Sequence, residues 1–247
     1  MLPIEDMFSL PLLYHLNSEP TAPPDPNSLI YEIPREQFPV GESAMALPVP
    51  AQETDLVRIL KSRRSCRQYT REKMTRAELG TLLGGACGIT GSTQLGTGIE
   101  SLLRAAPSAG ALYPLELYLA TQEIEGLEQG LHRYNLLDHS MEKLQKKSGM
   151  NEIAACLLDP KAVENANALI LIAACFERTL KKYGPRGYRY ILLEAGHVAQ
   201  NLCLLATAQG LGSLCIGGFV DSRLNRALGF DCAKQGVVYC VATGHPA

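Results

Sequence analysis

Between residues 63 and 67 the chain reads Arg-Arg-Ser-Cys-Arg, three guanidinium groups and a hydroxyl in five positions. Guanidinium is planar, forked and permanently charged, so Arg63, Arg64 and Arg67 with Ser65 suit a clamp on phosphate or another oxyanion. Taken alone, the same string also suits a solvated basic turn. A second cationic cluster holds Arg178, Lys181, Lys182, Arg186 and Arg189, and Gly184, Pro185 and Gly187 interrupt any helix there. Between the two clusters, Pro107-Ser108-Ala109-Gly110-Ala111-Leu112-Tyr113-Pro114 sets small residues between prolines, the make-up of a rigid loop that allows close approach. The stretch from Gly210 to Gly218 is also glycine-rich and open to close approach of a ligand. Glu194, His197 and Asn201 recur at i, i+3 and i+7, on one helix face. Two readings fit them: a hydrogen-bonded stripe inside a core or subunit interface, or a stripe that faces a cofactor or supports a catalytic group. A metal site is not expected, because no second His lies four residues from His197 and no Cys pair accompanies it.

These residues need elements to position them. Tyr188–Gln209 reads as one long helix, with Ile191, Leu192, Ala195, Val198, Ala199, Leu202 and Leu205 near a 3.6-residue repeat and Gly210 as its stop. Leu192, Leu193, Leu204 and Leu205 make it apolar most of the way round, which predicts a central, buried position. Thr54 caps a helix over 55–62, with Leu56, Ile59 and Leu60 on one face, which delivers the chain to the arginine turn. Thr75 and Glu78 form a capping box for a helix to about Cys87, and 88–98 reads as a mobile Gly/Ser/Thr loop, a candidate lid. Strands are expected at 115–121, 130–134, 141–144, 167–175 and 237–242. The run at 167–175 is continuously apolar and so central. Asn151 and Ser222 are candidate caps of two further helices, the second ending at Gly229. The mixture predicts an α+β fold with one central mixed or antiparallel sheet flanked by helices.

Ten of the fifteen prolines lie in residues 1–52. That segment is expected as an extended arm, neither regular helix nor central strand, docked in part through Leu12, Leu13, Tyr14, Ile30, Tyr31 and Phe38. Residues 53–247 are the expected folded domain. A net charge of −2 gives no footprint for nucleic acid. The longest strongly apolar run, 166–176, is too short to span a bilayer. Eight cysteines without a C-x-x-C pair read as reduced, mostly buried thiols of a cytoplasmic protein, and no secretory signal is apparent.

Taken in order, R-R-S-C-R-Q-Y near residue 65, P-S-A-G-A-L-Y-P at 107–114 and G-L-G-S-L-C-I-G-G-F at 210–219 resemble the flavin-binding nitroreductase superfamily. With K-Y-G-P-R-G-Y-R-Y at 182–190 and L-E-A-G-H-V-A-Q-N-L at 193–202, the chain resembles its SagB-type branch, the McbC-like, thiazole/oxazole-forming peptide dehydrogenases. The resemblance covers roughly residues 54–246 and leaves the arm outside. It implies an entwined homodimer with two FMN groups at the interface. The arginine turn (Arg63, Arg64, Ser65, Arg67) would hold the phosphate. Pro107, Ser108, Ala109, Gly110 and Leu112 would lie against the isoalloxazine ring, and Ile216, Gly217 and Gly218 along its edge. Two features depart from many nitroreductases: no Lys or Arg in the final Gly244-His245-Pro246-Ala247, and Ala111 or Leu112 where an Asn is common.

In the SagB-type branch a Lys-Tyr pair is associated with catalysis, and it aligns with Lys182 and Tyr183. Oxidising a thiazoline or oxazoline removes a carbon-bound proton and a hydride. The flavin takes the hydride, and a side chain must take the proton. A free lysine, with a pKa of ~10.4, is protonated at neutral pH, so Lys181, Arg178 and Arg186, together with burial, are expected to ease its deprotonation. Tyr183 would position substrate or relay the proton. The expected activity is azoline oxidation in a modified peptide, with oxygen re-oxidising the flavin and a cyclodehydratase as a potential partner. No leader-peptide-binding domain is recognisable, although the arm at 1–52 offers part of a docking surface. The alternatives are an NAD(P)H-fed reductase of nitro compounds or quinones, although no G-x-G-x-x-G follows a strand, and a flavin-binding scaffold subunit.

Overall fold

The structure, a computed structural model, describes residues 9–20, 44–45, 47–48, 53–94, 98, 100–145 and 148–247. Its centre is the strand β6 (Ala168–Cys175), paired antiparallel on both edges, with β3 (Leu115–Thr121) and β8 (Gln235–Gly244). Successive strand side chains point to opposite faces, and here both faces are covered. Ala168, Ile170, Ile172 and Ala174 join one core with the helices α3 (Arg76–Cys87) and α6 (Arg186–Ala208). Leu169, Leu171 and Ala173 join a second core with α4 (Met150–Ala154) and α7 (Asp221–Leu228). Two-sided burial explains the uninterrupted apolar run in an antiparallel strand. The full sheet adds β4 (Gly130–Asn135), β5 (Ser140–Lys143) and β7 (Gly212–Ile216), in the order β5-β4-β3-β6-β8-β7. Every pairing is antiparallel, so the expected α+β class holds.

Local signals place several elements as read. α2 spans Asp55–Ser62, and the side chain of its N-cap Thr54 accepts from Val57 N–H. The Thr75–Glu78 box closes in both directions at the start of α3. Other expectations need correction. Residues 89–94 are not a loop but the strand β1 (Ile89–Gln94), paired with β2 (Glu100–Arg104) as a separate hairpin. β7, at the edge of the sheet, lies in the stretch read only as glycine-rich. The cationic segment at 178–183 belongs to a helix, α5 (Phe176–Tyr183), which stops at Gly184 with φ 56°. α6 then starts at Arg186 and contains Gly187. A side chain at Gly187 would lie 3.0 Å from the Thr179 carbonyl, so the α5–α6 corner closes tightly there. α4 starts at Met150 after Gly149, and α7 at Asp221 after Val220, so each helix begins one residue before its expected cap, Asn151 or Ser222, which lies inside it. The Ser222 hydroxyl donates to Glu19 instead.

The arm holds a helix where none was expected, α1 (Ser9–Asn17). Pro11 is tolerated because the first turn has no intrahelical use for its missing N–H. Leu13 and Tyr14 are exposed; the anchor is His15, which is buried, shares a 2.8 Å hydrogen bond with the Tyr188 hydroxyl and lies edge-on to Phe176. Leu12, Ile30, Tyr31 and Phe38 fall outside the residues or side chains described.

α6 is less enclosed than its composition suggests. It is long and apolar enough to cross a membrane, but Ile191, Ala195, Val198, Leu202 and Ala206 pack into the core. Leu192 and Leu193 are 37% and 56% exposed. α2, which touches α6, buries none of its residues, and Leu56 and Leu60 are 58% and 48% exposed.

Candidate active site

The Pro-bracketed loop is wound into a single turn, Ala109–Ala111, with three left-handed residues: Gly110 (φ 63°), Ala111 (φ 53°) and Tyr113 (φ 44°). Each such conformation in a non-glycine residue costs on the order of 1–3 kcal/mol and persists only where its surroundings dictate it. They do so here. Tyr113 N–H donates to Ser108 Oγ at 2.9 Å, and the Tyr113 hydroxyl accepts from Arg104 N–H at 3.0 Å. The Arg104 guanidinium lies 4.7 Å from the Tyr113 ring centroid. Arg178 Nη1 donates to the Tyr113 carbonyl at 3.3 Å.

Ser108 also lies beside Glu194 of α6. Burial pushes the Glu194 carboxyl up to about 7, against the opposing pull of the neighbouring Ser108 hydroxyl and Arg104 charge. Of the polar stripe on α6, Glu194 is thus the member that faces the loop. Asn201 donates to the Ala86 carbonyl at 3.1 Å and ties α6 to α3, and His197 is exposed.

α5 delivers the Lys-Tyr pair to the same loop. Arg178 binds Glu116 of β3 at 2.5 Å, and Arg133 binds the other oxygen of that carboxylate at 3.3 Å. Burial acts to raise Glu116, but the Arg178 hydrogen bond and both guanidinium charges outweigh it and hold the carboxyl below its ordinary value. Four residues further along α5, on the same face, Lys182 reaches Gly110. A Cβ on Gly110 would lie 2.6 Å from both Lys182 Nζ and the Tyr183 hydroxyl. The Tyr183 ring packs edge-on to Tyr190, centroids 5.1 Å apart, and Lys182 Nζ sits 5.3 Å from the Tyr183 centroid. The neighbouring cations expected to crowd Lys182 are partly countered, since Lys181 pairs with Glu177 and Arg178 with Glu116. Next to this assembly lies a cavity of about 280 Å³ lined by Arg104, Tyr113, Glu116, Arg133, Arg178 and Glu194 among others.

The arginine turn sits elsewhere, along β7. Cys66 N–H donates to the Ser213 carbonyl at 2.9 Å, and the Tyr69 hydroxyl donates to the Cys66 carbonyl. Arg64 Nη1 donates to the Lys61 and Arg63 carbonyls. Among the described residues, Arg63, Arg64 and Arg67 form no ion pair, Ser65 is exposed, and the buried Ser213 hydroxyl has no partner. An uncompensated triple cation beside an orphaned hydroxyl is a donor set that fits a phosphate. β7 ends at Ile216, and a Cβ on Gly217 would lie 3.8 Å from the Tyr239 ring.

Within one chain the two groups occupy different stretches of α6. The Pro-bracketed loop meets it at Glu194, and β7 meets it at Cys203, where Cys203 and Cys215 Sγ lie 3.4 Å apart. Nine residues of helix separate these points, about 13 Å. No hydrogen bond or ion pair among the described residues links Arg63, Arg64, Ser65 or Arg67 to Pro107, Ser108, Ala109, Gly110 or Leu112. Arg104 and Glu116 went unnoticed in the sequence because neither lies in a motif, and only the fold brings them to Tyr113 and Arg178.

A model of the Nitroreductase family matches residues 60–245. The chain is 37% identical over 177 residues to "Putative nitroreductase MJ1384" of Methanocaldococcus jannaschii, covering 72% of this chain and 85% of that protein. It is 29% identical over 143 residues to the microcin B17-processing protein McbC of Escherichia coli; the match covers 53% of this chain and 50% of McbC. A solved E. coli microcin synthetase McbBCD complex, with truncated pro-MccB17 bound, contains a chain with the same fold (TM-score 0.70, 21% identity) covering 98% of this chain and 94% of that one.

Proposed function

Because this chain belongs to the nitroreductase family, we propose that it is an FMN-dependent oxidoreductase that oxidises thiazoline or oxazoline rings in a modified peptide to thiazole or oxazole. The observation that carries this reading is the convergence of Lys182 Nζ and the Tyr183 hydroxyl on Gly110, in the loop assigned to the flavin ring. When bound, the flavin supplies the hydride acceptor. Lys182 takes the ring proton, and Tyr183 positions the azoline or relays that proton. Ser108, Tyr113, Arg104 and Glu194 hold the loop in its strained form, so the reacting groups stay in register without reorganising at the moment of reaction. Arg63, Arg64, Ser65 and Arg67 bind the phosphate, while Pro107, Ser108, Ala109, Gly110 and Leu112 line the ring face and Ile216, Gly217 and Gly218 its edge.

In this reading the protein works as a homodimer. The exposed Leu56, Leu60, Leu192 and Leu193 supply an apolar surface for a second copy, and the separation of the two site halves along α6 suits a site completed across subunits. A cyclodehydratase partner is part of the proposal, supported by the likeness to the McbBCD complex. The test is Lys182→Ala, which is expected to retain its flavin spectrum and lose conversion of an azoline peptide, read as the loss of two hydrogens by mass spectrometry. An equally active variant removes Lys182 from the mechanism. The name of the 37% identical archaeal relative favours a second reading, NAD(P)H-dependent reduction of small electrophiles. Rapid bleaching of the flavin by NAD(P)H selects that reading, and a spectrum unchanged by NAD(P)H rejects it.

A further inference from the structure

Beneath the arginine turn lies a group of thiols that the proposed oxidation does not use. Cys203, on α6, is buried, and Cys215, on β7, is half-buried; their Sγ atoms are 3.4 Å apart, in van der Waals and hydrogen-bond contact. Cys203 and Cys215 share one hydrogen bond, and Tyr239 and the Arg63 charge lie beside Cys215. We propose that Cys203 and Cys215 form a peroxide-reactive dithiol, with Cys215 as the attacking sulfur and Cys203 as the resolving one.

Three observations assign the roles. Cys215 has the Cys203 thiol in hydrogen-bond contact and Tyr239 and the Arg63 cation beside it, surroundings that stabilise a thiolate. The Cys203 contact is the largest of these, and together they draw the Cys215 thiol below its ordinary value while the more enclosed Cys203 is pushed up. Cys215 is also the more accessible of the two, so a small oxidant meets it first. Finally, Cys203 needs no rearrangement of the fold to reach it, since the two sulfurs already touch.

The chemistry balances with hydrogen peroxide as the oxidant. The Cys215 thiolate attacks one peroxide oxygen; the S–O bond forms, the O–O bond breaks, and hydroxide leaves as water after taking a proton from solvent. Sulfur is oxidised by two electrons, and peroxide is reduced by the same two. Cys203 then attacks the sulfenic sulfur; the S–S bond forms, the S–O bond breaks, and the departing hydroxide leaves with the Cys203 proton as a second water. A small thiol in excess reverses the cross-link by exchange. The disulfide would join α6 to β7 between the arginine turn and Ile216-Gly217-Gly218, and would remove the thiolate that faces Arg63.

The test uses the full chain, exposed to a few equivalents of hydrogen peroxide and quenched with an alkylating agent. The expected products are an intact mass lighter by two hydrogens and a peptide pair cross-linked through Cys203 and Cys215, both reversed by dithiothreitol. Cys215→Ser is expected to lose the cross-link, and Cys203→Ser to stop at a sulfenic acid on Cys215 that dimedone traps. A second measurement on the unmutated protein is the pH profile of alkylation, in which Cys215 should react with an inflection below the ~8.5 of a free cysteine. The proposal is overturned if Cys203 and Cys215 stay reduced while other cysteines react, if Cys215 pairs with the nearby Cys66 instead, or if Cys215 alkylates with an unshifted profile.

Discussion

Gly110→Ala separates backbone strain from displacement of the Lys-Tyr pair. Alanine at φ 63° carries a left-handed penalty of about 1–2 kcal/mol. Its Cβ would stand 2.6 Å from Lys182 Nζ and from the Tyr183 hydroxyl, whereas ordinary contact begins at about 3.5 Å. Both groups must therefore retreat by about 1 Å, and a misplacement of that size costs roughly 100-fold in rate. For a chain of this length the strain lowers Tm by about 2–4 °C per kcal/mol, or roughly 2–8 °C in all. Gly210→Ala is the control: its φ is 73° and no atom lies within 4 Å of the added methyl. Both variants should show a similar fall in Tm and an unchanged flavin spectrum. Only Gly110→Ala should lose azoline turnover, measured by mass spectrometry under saturating peptide. If the two lose turnover equally, strain and not displacement is the cause. If Gly110→Ala turns over at the original rate, the convergence of Lys182 and Tyr183 on this loop has no catalytic meaning.

Glu194 titrates near 7 in the fold against an ordinary value of 4.5. A raised acid favours the folded state below the unfolded pKa, and that contribution is lost as pH climbs from 4.5 to 7, on the order of 3 kcal/mol. Glu194→Gln should therefore flatten the fall in urea stability over that window; parallel curves for the two proteins would contradict the assignment. Burial lowers the His15 pKa, with Glu19 opposing, so α1 docking is intact above about pH 6.5 and weakens as acid protonates the ring. Limited proteolysis should cut residues 9–20 faster at pH 5 than at pH 7.5, and His15→Ala, which also strands the Tyr188 hydroxyl, should be cut fast at both; equal rates for His15→Ala and the unmutated protein at pH 7.5 would show that His15 anchors nothing. Arg63→Ala and Arg67→Ala should each weaken FMN binding by about 10–150-fold, from a charge-assisted hydrogen bond of ~1.5–3 kcal/mol. Fluorescence titration of the flavin measures this, and unchanged affinity would move the phosphate away from the turn.

Local chemistry was enough to read those parts of the chain that local chemistry forms. Thr75 and Glu78 close their box within one helical turn, Gly229 stops α7 in a left-handed conformation, and β6 announces itself because a strand buried on both faces needs apolar residues at every position. The arginine turn, the Pro-bracketed loop and the Lys-Tyr pair were visible for the same reason, as residue types set close together. Where composition misled, tertiary pairing had overruled it. Glycine-rich β7 is a strand because β8 supplies its hydrogen bonds, 88–98 holds a strand because β2 pairs with it, and the proline-containing α1 is held by Tyr188, more than 170 residues away. The sequence alone named Glu194, Ser108 and Arg178. It contained no sign that Glu194 meets Ser108 across 86 positions, that Arg178 meets Glu116 across 62, or that Cys203 touches Cys215. Those meetings depend on how α5 and α6 fold back over the sheet, and a contact between distant residues leaves no periodicity in the chain that makes it.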